Sequence, residues 1–230
     1  MLNADTITSA GLAGIIDHTF LKAYGTPADI ETLCREAVEY RFAMVAINPA
    51  ETENCVRLLK GSGVRTGAAI GFPLGQMTSA AKAFETRDAI QKGAGEIDMV
   101  INIRELQSGN ERKVFAEIDD MAKVCREAKV ISKVIFETCY LTDPEKVRVC
   151  ELCVQAGVDF VKTSTGFGTA GATVEDIALM RRTVGPVMGV KAAGGVRTLE
   201  AALAMIRAGA TRIGTSSGVG IVNALREQGR

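Results

Sequence analysis

Two lysines stand at the ends of apolar runs in the second half of the chain. Lys162 follows "VDFV" (158–161), and Lys191 follows "VMGV" (187–190). Burial and a neighbouring ammonium group both lower the pKa of a lysine, so a neutral amine becomes available near neutral pH. A neutral amine can attack a carbonyl carbon and form a Schiff base. The pair therefore indicates Schiff-base chemistry that needs no metal ion.

Carboxylates and a third lysine occur on strands that could face the same space. In "EIDMVIN" (96–102), alternation places Asp98 opposite an apolar face that suits packed helices. A carboxylate against those helices would be costly, so Asp98 should point into the interior of a barrel. The same alternation in "SKVIFET" (132–138) points Lys133 and Glu137 inward, and we expect Asp17 of the first strand to join them.

The lysines could also lie just past their strand ends, in water. Their matched positions on successive strands favour an interior location. Gly189, two residues before Lys191, is expected to leave room in the barrel for the long side chain.

The chain alternates short apolar runs with helical patterns. Eight strands are predicted, at 14–20, 42–48, 64–72, 96–102, 132–138, 158–164, 186–192 and 211–216. Helices are indicated by Thr-Pro at 26–27, by a Thr-x-x-Asp at 173–176 that resembles a capping box, and by the glycine that ends "TLEAALAMIRAG" (198–209).

With no linker or change in composition, eight βα units predict one (β/α)8 TIM-barrel domain over residues 1–230. The alternative is a doubly wound open sheet. Its GxGxxG motif should follow a first strand, whereas "GFGTAG" (166–171) follows the sixth.

Glycines and serines follow the last strands, in "KAAGGVRT" (191–198) and "GTSSG" (214–218). In barrel enzymes the loops after strands 7 and 8 often bind phosphate, with backbone N–H groups and a helix N-terminus as donors. Gly194, Gly195, Ser216 and Ser217 fit such a site, and "TSTG" (163–166) could add a third wall. The alternative is that all of these are ordinary tight turns.

Composition excludes several classes of protein. Lys+Arg and Asp+Glu are equal at 27 each, so no overall field favours nucleic acid or an anionic membrane. We see neither a membrane-spanning run nor an export signal, and we expect a cytoplasmic protein with reduced cysteines. The one histidine rules out a metal site built on several imidazoles. Cys150 and Cys153 form a CxxC inside a helical pattern, where core packing is favoured over a redox or zinc site.

The chain resembles the deoxyribose-phosphate aldolases over nearly its whole length. The matching segments are "IDHTFLK" (16–22), "VAINP" (45–49), "IGFPLG" (70–75), "EIDMVIN" (96–102), "KVIFETCYLTD" (133–143), "DFVKTSTGFGTAGAT" (159–173), "GVKAAGGVRT" (189–198) and "GATRIGTSSG" (209–218). The resemblance implies a class I aldolase that reversibly cleaves 2-deoxy-D-ribose 5-phosphate into acetaldehyde and D-glyceraldehyde 3-phosphate.

The resemblance also implies roles for individual residues. Lys162 would form the Schiff base, Lys191 would perturb it and assist proton transfer, and Asp98 would act in the proton relay. Residues expected to bind substrate are Asp17, Thr19, Lys133, Thr165, Gly166, Gly194, Gly195, Gly214, Ser216 and Ser217. We expect no cofactor, no metal, no nucleic-acid or membrane partner, and a homo-oligomer, either a dimer or a tetramer.

Three positions depart from the pattern of many relatives. Ala46 replaces a cysteine, Phe167 stands where some relatives have a lysine, and the chain ends "NALREQGR" without a terminal tyrosine. Phosphate neutralisation must therefore use other groups, and proton transfer must use Asp98, Lys191 and water. Two rival hypotheses remain at this point: a transaldolase-like or hexose-phosphate aldolase, and a non-catalytic barrel that binds phosphosugars.

Overall fold

The computed structural model describes residues 2–230. Eight parallel strands pair in chain order, and the eighth pairs with the first, which closes a barrel. The strands are β1 (Ile16–Phe20), β2 (Met44–Ile47), β3 (Arg65–Ile70), β4 (Glu96–Val100), β5 (Ile131–Ile135), β6 (Phe160–Lys162), β7 (Gly189–Ala193) and β8 (Arg212–Thr215). The predicted single-domain (β/α)8 TIM barrel is confirmed, and the open-sheet alternative is wrong.

Each observed strand overlaps its prediction but is shorter. The errors reach three residues at two places: β7 starts at Gly189 rather than at 186, and β5 ends at Ile135 rather than at 138. Glu137 falls beyond the strand in a left-handed backbone conformation (φ 56°) at the start of a short 3-10 helix, Thr138–Tyr140. Strand alternation therefore does not apply to Glu137, and the expectation that it joins the inward-facing charges is wrong.

Helices fill the connections between strands. They are α1 (Ser9–Ala13), α2 (Pro27–Tyr40), α3 (Thr52–Leu58), α4 (Ser79–Gln91), α5 (Ile103–Gln107), α6 (Glu111–Ala128), α7 (Asp143–Ala156), α8 (Val174–Val184), α9 (Leu199–Ala208) and α10 (Gly218–Glu227), with a further 3-10 helix at Pro49–Glu51. Among residues 2–230, none of the helices has the length and apolar character needed to cross a bilayer.

The predicted helix boundaries follow from their caps. The Asp29 carboxylate accepts a hydrogen bond from the backbone N–H of Thr26 at 2.7 Å, which caps α2 as the Thr-Pro start predicts. At α8 only half of the predicted capping box forms. The Thr173 hydroxyl accepts from the N–H of Asp176, but the Asp176 carboxylate instead pairs with Lys146 of α7 at 2.6 Å.

The main core lies between the barrel and the helices. Outward-facing strand residues such as Ile97 and Met99 are fully buried there. Cys150 and Cys153 of α7 also lie in this layer as free, buried thiols, as predicted.

Inside the barrel, two glycines leave space for large apolar side chains. A Cβ at Gly67 would lie 2.4 Å from the terminal carbon of Met44, and a Cβ at Gly189 would lie 2.1 Å from Phe160 Cδ1. The expectation that Gly189 makes room for Lys191 is therefore wrong, because the Phe160 ring occupies that space. The glycine beside Lys191 is Gly214, where a Cβ would lie 3.0 Å from Lys191 Cε.

We predict that Gly189→Ala destabilises the fold by about 1–3 kcal/mol, because a methyl group would overlap the Phe160 ring. Urea unfolding followed by circular dichroism measures the change. Gly220→Ala is the matched control, since a Cβ at this helical position of α10 meets open space. The control should leave stability unchanged or raise it by up to about 1 kcal/mol. Equal losses in both variants would contradict this packing.

Candidate active site

Lys162 and Lys191 meet at one carboxylate inside the barrel. They are paired in register on β6 and β7, so their side chains enter the interior side by side. Lys162 Nζ lies 2.9 Å from Asp98 Oδ2, and Lys191 Nζ lies 2.7 Å from the same oxygen. Both lysines are almost completely buried. The shared acceptor explains how two lysines can approach each other in a buried place.

Asp98 lies at the centre of β4 and accepts a third lysine. Its other oxygen, Oδ1, lies 2.8 Å from Lys133 Nζ on the neighbouring strand β5. Burial by itself raises the pKa of Asp98, but attraction to Lys133, Lys162 and Lys191 outweighs burial and holds the pKa well below its usual range. Asp98 is therefore an ionised acceptor near neutral pH.

Asp17 and Lys133 lie deeper in the barrel, beneath Asp98, Lys162 and Lys191. Asp17 lies 2.5 Å from Lys191 Nζ through Oδ2 and 2.7 Å from an Arg212 nitrogen through Oδ1. Lys133 also pairs with Glu96. The side chains of Asp17 and Lys133 expose no surface and contact Asp98, Lys191 and other members of the charge network. Their role in substrate binding stays a prediction.

The charges in the barrel interior do not balance. Within residues 2–230 the buried part of the network holds four cationic side chains, Lys133, Lys162, Lys191 and Arg212, against three carboxylates, Asp17, Glu96 and Asp98. Arg65 also pairs with Glu96, but half of the Arg65 side chain is exposed, so water screens its charge. Four minus three leaves one surplus positive charge.

Lys162 is the member with the fewest ion-pair partners, since its ammonium group contacts Asp98 alone within the network. Burial lowers its pKa to about 8; Lys191 and Lys133 add to the lowering, and Asp98 opposes it. Burial lowers the pKa of Lys133 too, but Asp98, Glu96 and Asp17 outweigh burial and leave it raised. Lys162 therefore loses its proton before Lys133 does, which relieves the surplus charge.

A second buried ion pair, outside the barrel, holds the end of β4 in place. Lys82 Nζ of α4 donates to the Val100 carbonyl at 2.7 Å and to Glu117 of α6 at 2.8 Å. The other Glu117 oxygen accepts from the backbone N–H of Asn102 at 2.6 Å. Side chains of two helices thus hydrogen-bond to the backbone within four residues of Asp98 and fix the position of Asp98.

A cavity of about 550 Å³ opens above Lys162 at the carboxyl ends of the strands. Its lining includes eight residues expected at the site: Thr19, Lys162, Thr165, Gly166, Gly194, Gly195, Gly214 and Ser216. Ser217 lies beyond this lining, as the residue before α10, and its N–H donates to the Thr215 hydroxyl. The structure therefore brings the glycine-rich loops together around one cavity, and the part of Ser217 as a phosphate ligand stays a prediction.

The loops after β6 and β7 touch through their backbones. A Cβ at Gly171 would lie 2.1 Å from the Gly194 carbonyl oxygen, and the N–H of Ala172 donates to that oxygen at 3.0 Å. Gly194 and Gly195 have φ of 81° and 79°, a left-handed conformation that favours glycine. The small residues in these loops allow the two glycine-rich walls of the cavity to approach each other.

Two threonines at the cavity already make hydrogen bonds within the protein. The Thr19 hydroxyl donates to the Asp17 carbonyl at 2.9 Å, which leaves its lone pairs to accept from a ligand. The Thr165 hydroxyl donates to Glu137 and accepts from the N–H of Phe167. Glu137 thus orders the loop after β6 and, within residues 2–230, makes no ion pair with the lysines.

Sequence reasoning missed two cations at the cavity, Lys22 and Arg197, both of which line it. Arg197 lies two residues after Gly195 in the loop that follows β7, and this position was the available signal. Phe167, at the position where some relatives have a lysine, also lines the cavity and packs edge-to-face on Phe72 with ring centroids 5.4 Å apart.

Sequence reasoning also missed Glu96 and Arg212 as members of the inner charge network. Glu96 shares a strand face with Asp98, and Arg212 shares one with Gly214, so alternation contained the signal for both. Within residues 2–230, no group of three or more His, Cys, Asp or Glu side chains is arranged to hold a metal ion.

We predict that Lys162→Met makes the protein more stable at pH 7, by about 1–3 kcal/mol. The pKa of Lys162 in the fold, about 8, is below the ordinary lysine value, so its burial costs stability at every pH below 8. That cost disappears as the pH rises through 8 toward 10.4, and the advantage of the variant should shrink accordingly. Denaturant unfolding at pH 7 and at pH 9.5 measures both effects.

The matched control is Lys82→Met, which removes another buried lysine. It leaves Glu117 buried without its partner and should cost about 3 kcal/mol or more. A loss of stability in Lys162→Met at pH 7 would contradict the surplus-charge description.

Comparison with known proteins agrees with this geometry. Residues 12–224 match the DeoC/LacD family of aldolases. The deoxyribose-phosphate aldolase of Bacteroides thetaiotaomicron is 69% identical over 216 residues, which cover 94% of this chain and 91% of that protein. The solved tetrameric deoxyribose phosphate aldolase of Aeropyrum pernix superposes with a TM-score of 0.89 at 32% identity, covering 96% of this chain and 93% of that one. A further solved structure, an aldolase called QR15, has a TM-score of 0.89 at 36% identity, covering 95% and 97%. The chain therefore belongs to the DeoC/LacD family of aldolases.

Proposed function

We propose that residues 1–230 act as one class I aldolase domain, which reversibly cleaves 2-deoxy-D-ribose 5-phosphate into acetaldehyde and D-glyceraldehyde 3-phosphate. The observation that carries the proposal is the position of Lys162, a buried amine that shares Asp98 with Lys191 at the floor of a cavity with glycine-rich walls. The names of relatives up to 69% identical support the choice of substrate.

Lys162 is the nucleophile. With a pKa of about 8, roughly a tenth of the Lys162 side chains are neutral at pH 7, against less than about a thousandth for an ordinary lysine. The neutral amine attacks C1 of the open-chain sugar aldehyde and gives a carbinolamine. Loss of water then leaves an iminium ion between Lys162 and C1.

Cleavage follows when the C3 hydroxyl loses its proton. The C2–C3 bond breaks, its electron pair moves to form the C1–C2 double bond of a neutral enamine, and D-glyceraldehyde 3-phosphate departs. Protonation of the enamine at C2 and hydrolysis of the resulting iminium release acetaldehyde and restore the amine. Asp98, Lys191 and a water molecule carry these protons, because the Asp98 carboxylate contacts both lysines.

The charge imbalance also promotes the bond cleavage. The iminium ion returns a positive charge to a buried network whose other three cations already balance its three carboxylates. Forming the neutral enamine removes that charge again. An environment that disfavours the Lys162 ammonium ion therefore makes the iminium ion a stronger electron acceptor.

The phosphate occupies the end of the cavity formed by the loops after β7 and β8. Backbone N–H groups of Gly194 and Gly195 and the hydroxyl of Ser216 supply donors, and Arg197 and Lys22 supply positive charge. Arg197 is thus the proposed replacement for the lysine that some relatives carry where this chain has Phe167. Thr19 accepts from a substrate hydroxyl, and Gly166 and Thr165 form the wall beside it.

We infer that the protein works as a homo-oligomer in the cytoplasm. We propose two or four copies; the Aeropyrum pernix relative, named as tetrameric, supports an oligomer.

The Schiff base predicts a specific covalent product. Borohydride reduction in the presence of acetaldehyde should add an ethyl group to the Lys162 amine, which peptide mass mapping locates. Lys162→Met should lose the label and at least about a thousand-fold of the aldolase activity. Lys82, buried outside the barrel, is the internal control and should stay unlabelled.

Activity should persist in EDTA, since no step requires a metal ion. Full aldolase activity with Lys162 unlabelled, or activity abolished by EDTA and restored by a divalent metal, would sink the mechanism.

A further inference from the structure

Two buried ions in the barrel have no part in the proposed chemistry. Glu96 opens β4, two residues before Asp98 on the same face, and Arg212 opens β8, two residues before Gly214. Both side chains are buried, Glu96 completely. They lie at the amino ends of their strands, below the floor of the cavity, so neither can contact a substrate.

These two ions connect to the lysine pair through two routes. Arg212 Nη1 lies 2.7 Å from Asp17 Oδ1, and Asp17 in turn contacts Lys191. Arg212 Nη1 also lies 3.4 Å from Glu96 Oε1. The second carboxylate oxygen of Glu96 pairs with Lys133, which contacts Asp98.

Apolar side chains could fill the barrel interior at the level of Glu96 and Arg212. Met44 and Phe160 already occupy the interior there, and the Phe160 ring lies 5.2 Å from the Arg212 guanidinium carbon. Replacing a buried ion pair by apolar side chains is often neutral or stabilising. Stability alone therefore gives no reason to keep Glu96 and Arg212 inside the barrel.

We propose that Glu96 and Arg212 are positioning residues that set the protonation state of Lys162 through the inner charge network. This inference rests on the proposed function, because it assigns the network a role in preparing the Schiff-base lysine. The effect is electrostatic: the buried part of the network holds four cations and three carboxylates, so a single charge added or removed changes its balance.

The two residues should act in opposite directions. Without the Glu96 charge, two surplus positive charges would remain, and Lys162 would lose its proton at a lower pH. Without the Arg212 charge, three cations would face three carboxylates, and Lys162 would keep its proton to a higher pH. A general loosening of the barrel has no reason to produce opposite shifts.

Seven charged side chains face Lys162, either directly or through the network. They are Asp17 on β1, Asp98 and Glu96 on β4, Lys133 on β5, Glu137 after β5, Lys191 on β7 and Arg212 on β8. Although burial lowers the pKa of Arg212, its attraction to Asp17 and Glu96 leaves that pKa raised, and the pKa of Lys133 is raised in the same way. These two cations therefore keep their charge through the pH range in which Lys162 titrates.

The test is the pH dependence of borohydride trapping of acetaldehyde on Lys162, followed by peptide mass mapping. Glu96→Gln should shift the midpoint of this profile to lower pH, and Arg212→Met should shift it to higher pH, each by on the order of one pH unit. The double variant Glu96→Gln/Arg212→Met keeps a surplus of one, with three cations against two carboxylates, and its midpoint should return toward that of the unmodified chain. Arg212→Lys keeps the charge and should largely restore the profile.

Arg65→Gln is the matched control. Arg65 Nη1 lies 3.3 Å from the same Glu96 oxygen as Arg212, but half of the Arg65 side chain is exposed to solvent. Water should screen its charge, so the midpoint should move by no more than a few tenths of a pH unit.

The outcomes distinguish failure of the role assigned to Glu96 and Arg212 from failure of the proposed aldolase function. Shifts of the same sign in Glu96→Gln and Arg212→Met, or an unchanged midpoint in both, would overturn the inference. If Arg212→Met does not fold, the isosteric Glu96→Gln decides alone, and the lack of a shift to lower pH overturns the inference. Failure to trap any Schiff base on Lys162 in the unmodified chain would instead refute the proposed function.

Discussion

The structure depends on one carboxylate that accepts three lysines. Asp98 contacts Lys133 through one oxygen and Lys162 and Lys191 through the other. Three ammonium groups could not share the interior of a barrel without it, because their mutual repulsion would add to the cost of burial. The carboxylate makes the cluster possible, and the buried network of four cations and three carboxylates keeps one surplus positive charge, which is relieved when Lys162 loses its proton.

The rest of the barrel holds that carboxylate in position. Below it, Glu96 and Arg212 pair with the residues that contact Asp98 and Lys191. Outside the barrel, Lys82 and Glu117 hydrogen-bond to the backbone that follows Asp98. Above it, the glycine-rich loops leave space for a phosphorylated substrate within reach of the amine. The chemistry therefore lies in the barrel, whereas substrate recognition lies in the loops, a division common among TIM-barrel enzymes.

Much of this could be predicted from sequence because strands and lysines obey simple periodic rules. Alternation placed Asp98, Lys133, Lys162 and Lys191 in the interior, and the loop composition after the last strands predicted the glycine-rich walls. The predictions that were wrong or incomplete concern the depth of a side chain in the barrel and its packing against other strands, which alternation along one strand does not contain. Alternation could not say that Asp17 and Lys133 lie beneath the cavity instead of lining it, or that Phe160 fills the space above Gly189. Glu137 was misplaced because its strand ends two residues before it.

The central claim is that Lys162 is the lysine that becomes neutral near physiological pH. Competitive labelling with a trace of acetic anhydride, at a series of pH values with mass-spectrometric readout, titrates this amine directly without a substrate. We predict a midpoint near pH 8 at Lys162. A midpoint at or above pH 10, the range of an ordinary lysine, would contradict it.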